Sequence, residues 1–319
     1  MKQIEIDNYR YYDPIFESVR VVLNQIGESY TPEYISGISG SAFKVGAGCP
    51  SRPTCICDFW PFEFYKYMGY DAKEYPCADK SGNDVTDKMI NAVKESIDNG
   101  KAVSVWHAFR DEEWDVVCGY DEEAKQFIGK GTYIGEYARQ PWDRAKTSNI
   151  MGIGAVVVGN KIADFDAREA EIKSLKSAAA HARKESDETE LHKTEGIQGY
   201  KKWAAYFAAP GADRGVADSY CYDTYSSVRK AAVIYLRTLA KKYGGEATTH
   251  LQNAAAEFDA EIAQLEKARP YISWDSPWGV DEERSKNLAP LLAEAAAAYE
   301  KGIESIEKAL ACLDFRYVR

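Results

Sequence analysis

Apolar residues in the first third of the chain repeat with a helical period. Between Phe16 and Ile26 they recur every three or four positions, after Pro14 and before Gly27, which favour the start and the end of a helix. Asp58–Tyr67 and Asp87–Asp98 show similar patterns. The chain is therefore predicted to begin with short amphipathic helices.

The next pattern is typical of β-strands. Four short segments are rich in β-branched and aromatic residues and are bounded by Gly, Asp or Lys: Ala102–Phe109, Trp114–Tyr120, Gln126–Gly129 and Ile153–Gly159. Because several of them are joined by short turns, we expect a mostly antiparallel sheet. Tyr34–Cys57 is rich in Gly, Ser and Pro and is predicted to be an irregular loop region whose size suits a ligand.

After Lys161 the pattern becomes helical throughout and is rich in Ala, Glu and Lys. The predicted helices are Ala167–Lys184, Gly196–Phe207, Ser219–Tyr243, Ala247–Ala268 and Asp281–Cys312. Pro290 is expected to kink or divide the last of them. The sequence therefore predicts an α+β fold class, with an α+β domain over residues 1–162 and an all-α helical bundle over residues 163–319.

Composition and charge make some classes of binding partner unfavourable. The 319 residues carry a formal charge of −10, which disfavours binding to nucleic acid or to anionic lipid. No stretch approaches the roughly 18 apolar residues of a membrane span, and the N-terminal residues lack the pattern of a secretion signal, so a cytoplasmic location is expected. The glycine-containing stretches Gly37–Ala42 and Gly129–Gly131 lack the lysine of a phosphate-binding loop, and no cofactor is predicted.

Four segments occur in an informative order: FESVRVVLNQIGESYT, GISGSAFKV, WDVVCGYDEEAKQFIG and GIQGYKKWA. This order resembles a papain-like family that is similar to the N-terminal domain of butirosin biosynthesis protein H. The resemblance covers most of the chain. It implies a papain-like first domain, a helical second domain, and acyl transfer or amide hydrolysis by a thiolate, a histidine and an acid.

The residues at the family's catalytic positions differ from that pattern. The nucleophile position falls at or beside Ser18, and the histidine position falls at Glu113 or Trp114. A serine without an adjacent base stays protonated and is a poor nucleophile. The resemblance therefore implies a pseudoenzyme with a dismantled Cys-His triad, which binds a small molecule in a cleft between its two domains.

Two other functions remain open. Cys55 or Cys57 could supply a relocated thiol, with His107 as its base, in an active acyltransferase or amide hydrolase. In that case His107 and Glu113 are candidates for an acid–base pair, whereas a lone histidine more often satisfies a backbone group at a strand end. Alternatively, Cys49, Cys55 and Cys57 bind a metal or metalloid ion.

Aromatic residues supply the candidate ligand-binding set, which consists of Phe43, Trp60, Trp106, Trp114 and Tyr120. Aromatic side chains commonly line small-molecule pockets, although they also build the cores of small domains. The long alanine-rich helices of the second half offer extended apolar faces, which also permit a homodimer.

Overall fold

The computed structural model describes residues 1–10, 13–46, 60–132, 134–149, 152–185 and 194–314. The chain divides into two compact units. The sheet unit contains Met1–Ile35 and Phe59–Asp166, and the helical unit contains Ser36–Asp58 and Ala167–Arg319. Within the described ranges, no helix has both the length and the apolar character needed to cross a membrane.

One antiparallel sheet organises the sheet unit. Its strands are β1 (Lys2–Gln3), β2 (Tyr70–Pro76), β3 (Val103–Trp106), β4 (Trp114–Asp121), β5 (Gln126–Lys130), β6 (Ala138–Pro141) and β7 (Gly154–Lys161). Their order is β2-β7-β3-β4-β5-β6, and β1 pairs with the end of β4. The predicted α+β class, with a mostly antiparallel sheet followed by a helical region, is confirmed.

Three helices pack on this sheet, namely α1 (Pro14–Gln25), α3 (Pro61–Tyr67) and α4 (Thr86–Asp98). Helix α2 (Pro32–Ile38) crosses the boundary between the units. Helix α1 begins at Asp13, whose carboxylate accepts a hydrogen bond from the backbone N–H of Ile15 at 3.3 Å. Helix α4 packs Met89, Val93 and Ile97 into the core beside β3 and β4. The start of α1 and the start of β4 both contribute to the site described below.

The prediction that Tyr34–Cys57 is irregular is wrong for part of its described residues. Helix α2 extends to Ile38, and Ser41–Phe43 forms a 3₁₀ turn. Gly37 serves close packing here, because a Cβ atom at this position would lie 2.3 Å from the ring of Tyr235.

The helical unit contains α5 (Ala167–Ala182), α6 (Gly196–Ala208), α7 (Val216–Tyr243), α8 (Gly245–Ile272) and α9 (Glu282–Asp314), with the two-residue strands β8 (Asp213–Arg214) and β9 (Gly279–Val280). Helix α9 continues through Pro290, so the expected division at this residue is wrong. The proline ring removes only one backbone donor, and the long helix packs extensively on α8 and α6.

An ion pair lies in the core of the helical unit. Arg229 and Glu261 have fully buried side chains with a nitrogen–oxygen distance of 2.8 Å. Arg229 also donates to the carbonyl oxygen of Ala42, and its guanidinium lies 4.9 Å from the ring centre of Tyr299. Residues from the first half of the chain therefore help to satisfy a buried charge among the C-terminal helices.

Candidate functional site

Ser18, at the family's nucleophile position, lies in the core of the sheet unit. Its side chain is fully buried, and its hydroxyl donates to the carbonyl oxygen of Ile15 at 2.8 Å. It accepts a hydrogen bond from the Ser104 hydroxyl at 3.2 Å, and Ser104 in turn lies 2.8 Å from the Tyr65 hydroxyl. No basic side chain takes part in these contacts, so the arrangement provides nothing to activate Ser18.

His107 holds the turn between β3 and β4. Its Nδ1 accepts a hydrogen bond from the backbone N–H of Glu112 at 2.9 Å, which places the proton of the neutral ring on Nε2, 3.3 Å from Thr147 Oγ1. Burial, followed by the positive charge of Arg144, lowers the pKa of His107. A neutral ring with both nitrogens engaged fits a role in the turn, and no serine or cysteine nucleophile is among these contacts.

The structure does not bring the ring of His107 to the carboxyl group of Glu113. The two residues share a backbone hydrogen bond, from the N–H of His107 to the carbonyl oxygen of Glu113, at 2.8 Å. The carboxylates nearest the ring belong to Glu112, at 3.6 Å, and Asp111, at 3.8 Å. The expected acid–base pair is therefore replaced by contacts within the turn.

The carboxyl group of Glu113 instead interacts with the start of α1. Burial raises the pKa of Glu113 to about 8, and the neighbouring carboxylates of Asp13 and Asp115 add to this effect. No hydrogen bond from the described residues reaches this carboxyl group. Asp115 is completely buried, accepts hydrogen bonds from the backbone N–H groups of Phe109 and Arg110 at 2.6 and 3.0 Å, and has its pKa raised to about 7, mainly by burial.

These contacts change the comparison with the papain-like family. At the start of α1, the residue that interacts with Glu113 is Asp13, whereas Ser18 lies five positions further along the helix. The two elements to which the resemblance assigns a nucleophile and a histidine therefore bring two carboxyl groups into interaction. Neighbouring carboxyl groups favour retention of a proton, and thiol chemistry is not available to them.

Three of the five predicted aromatic ligand residues lie together. The ring centres of Trp60 and Trp114 are 6.4 Å apart, and those of Trp106 and Trp114 are 5.6 Å apart, both in edge-to-face geometry. Trp106 donates its indole N–H to Ser148 Oγ at 2.9 Å. Trp114 is 2% exposed, and its indole N–H has no hydrogen-bond partner in the described structure.

A cavity of about 420 Å³ lies beside these tryptophans. We call it the tryptophan pocket; its lining consists of Trp60, Pro61 and Trp114, residues 152–156 at the start of β7, and Glu74 and Pro76 of β2. Its volume suits a small organic molecule. The pocket therefore combines aromatic surface with one carboxylate.

Glu74 is an exposed residue of β2. Its pKa is raised by partial burial and then by the negative charge of Glu63, at the start of α3. The Glu63 carboxylate accepts a hydrogen bond from the backbone N–H of Trp60 at 3.0 Å. Among the ion pairs of the described residues, none involves either of these two glutamates.

The other two predicted ligand residues lie elsewhere. Phe43 is fully buried in the core of the helical unit, with its ring centre 6.0 Å from that of Phe258. The Tyr120 hydroxyl, near the other end of β4, donates to Asp98 at 2.9 Å. Neither residue lines the tryptophan pocket.

The cysteine-based predictions concern residues that the structure does not describe, namely Cys49, Cys55 and Cys57. The relocated thiol and the metal site therefore stay predictions. Burial raises the pKa of Cys118 to about 12 and also raises that of Cys77, which makes both thiols poor nucleophiles. In the described ranges, no three His, Cys, Asp or Glu side chains form a group that could hold a metal ion.

Sequence reasoning missed Asp13, Glu63 and Glu74. The Asp13-Pro14 pair carries a usable signal, since aspartate before proline is typical of a helix start. Glu74 carries no such signal, because it belongs to a strand that the sequence pattern did not predict. No protein-family model matches the chain, and no curated protein matches it, so the papain-like relationship stays a prediction.

Proposed function

We propose that this protein binds a small molecule in the tryptophan pocket of its sheet unit. The observation that carries the proposal is the cavity of about 420 Å³ that Trp60 and Trp114 line. Aromatic walls with few polar groups are typical of ligand pockets.

The contacts of the predicted catalytic residues favour binding over catalysis by those residues. Ser18 is enclosed among other hydroxyl groups, and the ring of His107 is engaged by Glu112 and Thr147. No hydrogen bond among the described residues joins Ser18 to His107, so His107 does not activate Ser18 as a nucleophile. This supports the interpretation of the chain as a protein that has kept a pocket and lost a Cys-His triad.

Ligand-observed NMR with a library of small amine and aromatic fragments tests the proposal. We expect binding fragments whose affinity falls at least tenfold in Trp60→Ala, because this side chain forms part of the pocket wall. Trp274→Ala is the matched control: Trp274 is 43% exposed and Trp60 is 47% exposed, but Trp274 belongs to the helical unit. Fragments that lose affinity equally in both variants, or an absence of binding fragments, would contradict the proposal.

A further inference from the structure

We propose that the ligand of the tryptophan pocket carries a positive charge, as an organic ammonium group seated beside Glu74 and against the indole of Trp60. This inference rests on the proposed function and adds the chemical class of the ligand. It is argued from the charges at the pocket, from the lysines beside them, and from the exposed aromatic surface.

Glu74 supplies the one carboxylate among the residues that line the pocket. The charge of Glu63 acts on Glu74 strongly enough to contribute to its raised pKa. Of the ion pairs in the described ranges, none includes Glu63 or Glu74, and no described donor bonds to the carboxylate of Glu74. A positive charge in the pocket beside Glu74 would offset this repulsion and gain an attractive interaction.

The chain's own lysines near these carboxylates are engaged elsewhere. Lys66 follows Glu63 by one helical turn, but its amino group lies 4.5 Å from the ring centre of Phe62. Lys73 precedes Glu74 directly, and its amino group lies 4.9 Å from the ring centre of Tyr75. Both lysines therefore lie over aromatic rings, and the pocket keeps a negative charge that no neighbouring lysine neutralises.

The aromatic wall suits the same kind of ligand. Trp60 is 47% exposed although it contacts Trp114 edge to face, so much of its indole remains available. The face of an indole attracts ammonium groups more strongly than the rings of Phe or Tyr do. An ammonium group with apolar substituents would therefore use both the carboxylate of Glu74 and the indole, whereas a neutral ligand would leave this carboxylate unpaired.

Two probes of nearly equal shape test whether the charge of a ligand or its size determines binding. Choline and 3,3-dimethyl-1-butanol differ at the atom that carries the three methyl groups, which is a cationic nitrogen in the first and a neutral carbon in the second. Binding to the full-length protein is measured by NMR and by tryptophan fluorescence. We expect choline to bind at least tenfold more tightly than its neutral analogue, and this ratio to fall below threefold in Glu74→Gln.

Glu95→Gln provides the control for the loss of one exposed carboxylate. Glu95 lies on α4, is exposed, and does not line the pocket, so its substitution should keep the ratio of the wild-type protein. Equal binding of both probes, with loss of both in Trp60→Ala, would overturn the inference and leave the proposed function intact. Failure of choline to bind at millimolar concentration, while other fragments bind in a Trp60-dependent way, would also overturn only the inference. A fragment screen without any Trp60-dependent binding would overturn both.

Discussion

The two units surround buried carboxyl groups with different charges. Burial raises the pKa of Glu261 in the helical unit to about 7, although Arg229 lies 2.8 Å away. Burial raises the pKa of Glu113 in the sheet unit to about 8, and the negative charges of Asp13 and Asp115 add to this effect. A buried charge is tolerated when an opposite charge neutralises it, and otherwise the group keeps its proton. The first arrangement fits a structural role, and the second places a carboxyl group among like charges directly before β4.

Backbone strain shows the same contrast. Among the described residues, those other than glycine with positive φ angles are His107, Glu112 and Lys125, and all three belong to the sheet unit. Such conformations are uncommon for residues with a Cβ atom and persist where surrounding contacts enforce them. The strained residues of the described chain therefore lie in the same unit as the tryptophan pocket.

The largest effect is expected when the buried ion pair of the helical unit is broken. Arg229→Met should lower the free energy of unfolding by about 3–5 kcal/mol, because Glu261 would stay buried without its counter-charge. Urea denaturation followed by circular dichroism measures this loss. The double variant Arg229→Met/Glu261→Leu should recover most of it, and a double variant as unstable as the single one would show that the charge pair is not the cause.

An effect of opposite sign is expected at Glu113. The folded protein retains this proton up to a pKa of about 8, whereas an ordinary glutamate releases it near 4.5, so the folded state binds more protons between these values. The contribution of this group to stability is therefore complete below about pH 4.5 and is lost as the pH rises through about 8. Glu113→Gln should leave stability nearly unchanged at pH 5 and raise it by about 1–3 kcal/mol at pH 8.5, allowing for partial solvent exposure.

Urea denaturation at both pH values measures this difference, with the exposed Glu95→Gln as the control for losing one carboxylate. Equal effects of Glu113→Gln at pH 5 and pH 8.5 would show that Glu113 is ionised in the folded protein at both values. Such a result would remove the contrast between the two units.

The smallest effects separate two kinds of backbone strain within the sheet unit. Lys125 has a φ angle of 54° in the turn between β4 and β5, and Lys125→Gly should raise stability by about 0.5–1 kcal/mol. Glu112 has a φ angle of 55°, but its carboxylate accepts hydrogen bonds from Ser148 Oγ and from the backbone N–H of Asn149 at 2.7 and 2.8 Å. Glu112→Gly should therefore lower stability by about 1 kcal/mol.

Thermal unfolding of the two glycine variants, recorded side by side, checks this prediction. A gain in stability in both variants would mean that the contacts of Glu112 contribute less than its strain costs. The turn between β3 and β4 would then be as tolerant as an ordinary hairpin.

Much of the secondary structure was predictable because buried segments leave strong patterns. Strand β3 is buried along its whole length and lies within the predicted Ala102–Phe109, and α7 at Val216–Tyr243 closely matches the predicted Ser219–Tyr243. Strand β2 was missed. It lies at an edge of the sheet, exposes four of its seven residues and ends in a proline, so its apolar pattern is weak.

The candidate site was predictable only in part, for a related reason. Trp60, Trp106 and Trp114 stand out as large aromatic residues in or beside regular elements, and the structure brings them together. The interaction between Asp13 and Glu113 joins residues one hundred positions apart, and that between Glu63 and Glu74 depends on the unpredicted β2. Pairings of this kind follow from tertiary packing, which local patterns do not encode.

The place of Ser41–Phe43 has a consequence for the order in which the protein can mature during synthesis. The core of the helical unit includes Phe43, and Arg229 and Tyr299 bond to the carbonyl oxygens of Ala42 and Phe43. These residues leave the ribosome well before α7, α8 and α9 exist. Ser41–Phe43 must therefore remain without these neighbours until α9 has been translated. A truncated protein that ends after β7 would lack the helices that pack on Ser41–Phe43. One that begins after β7 would have a cavity in the core of the helical unit, at the place that Phe43 occupies.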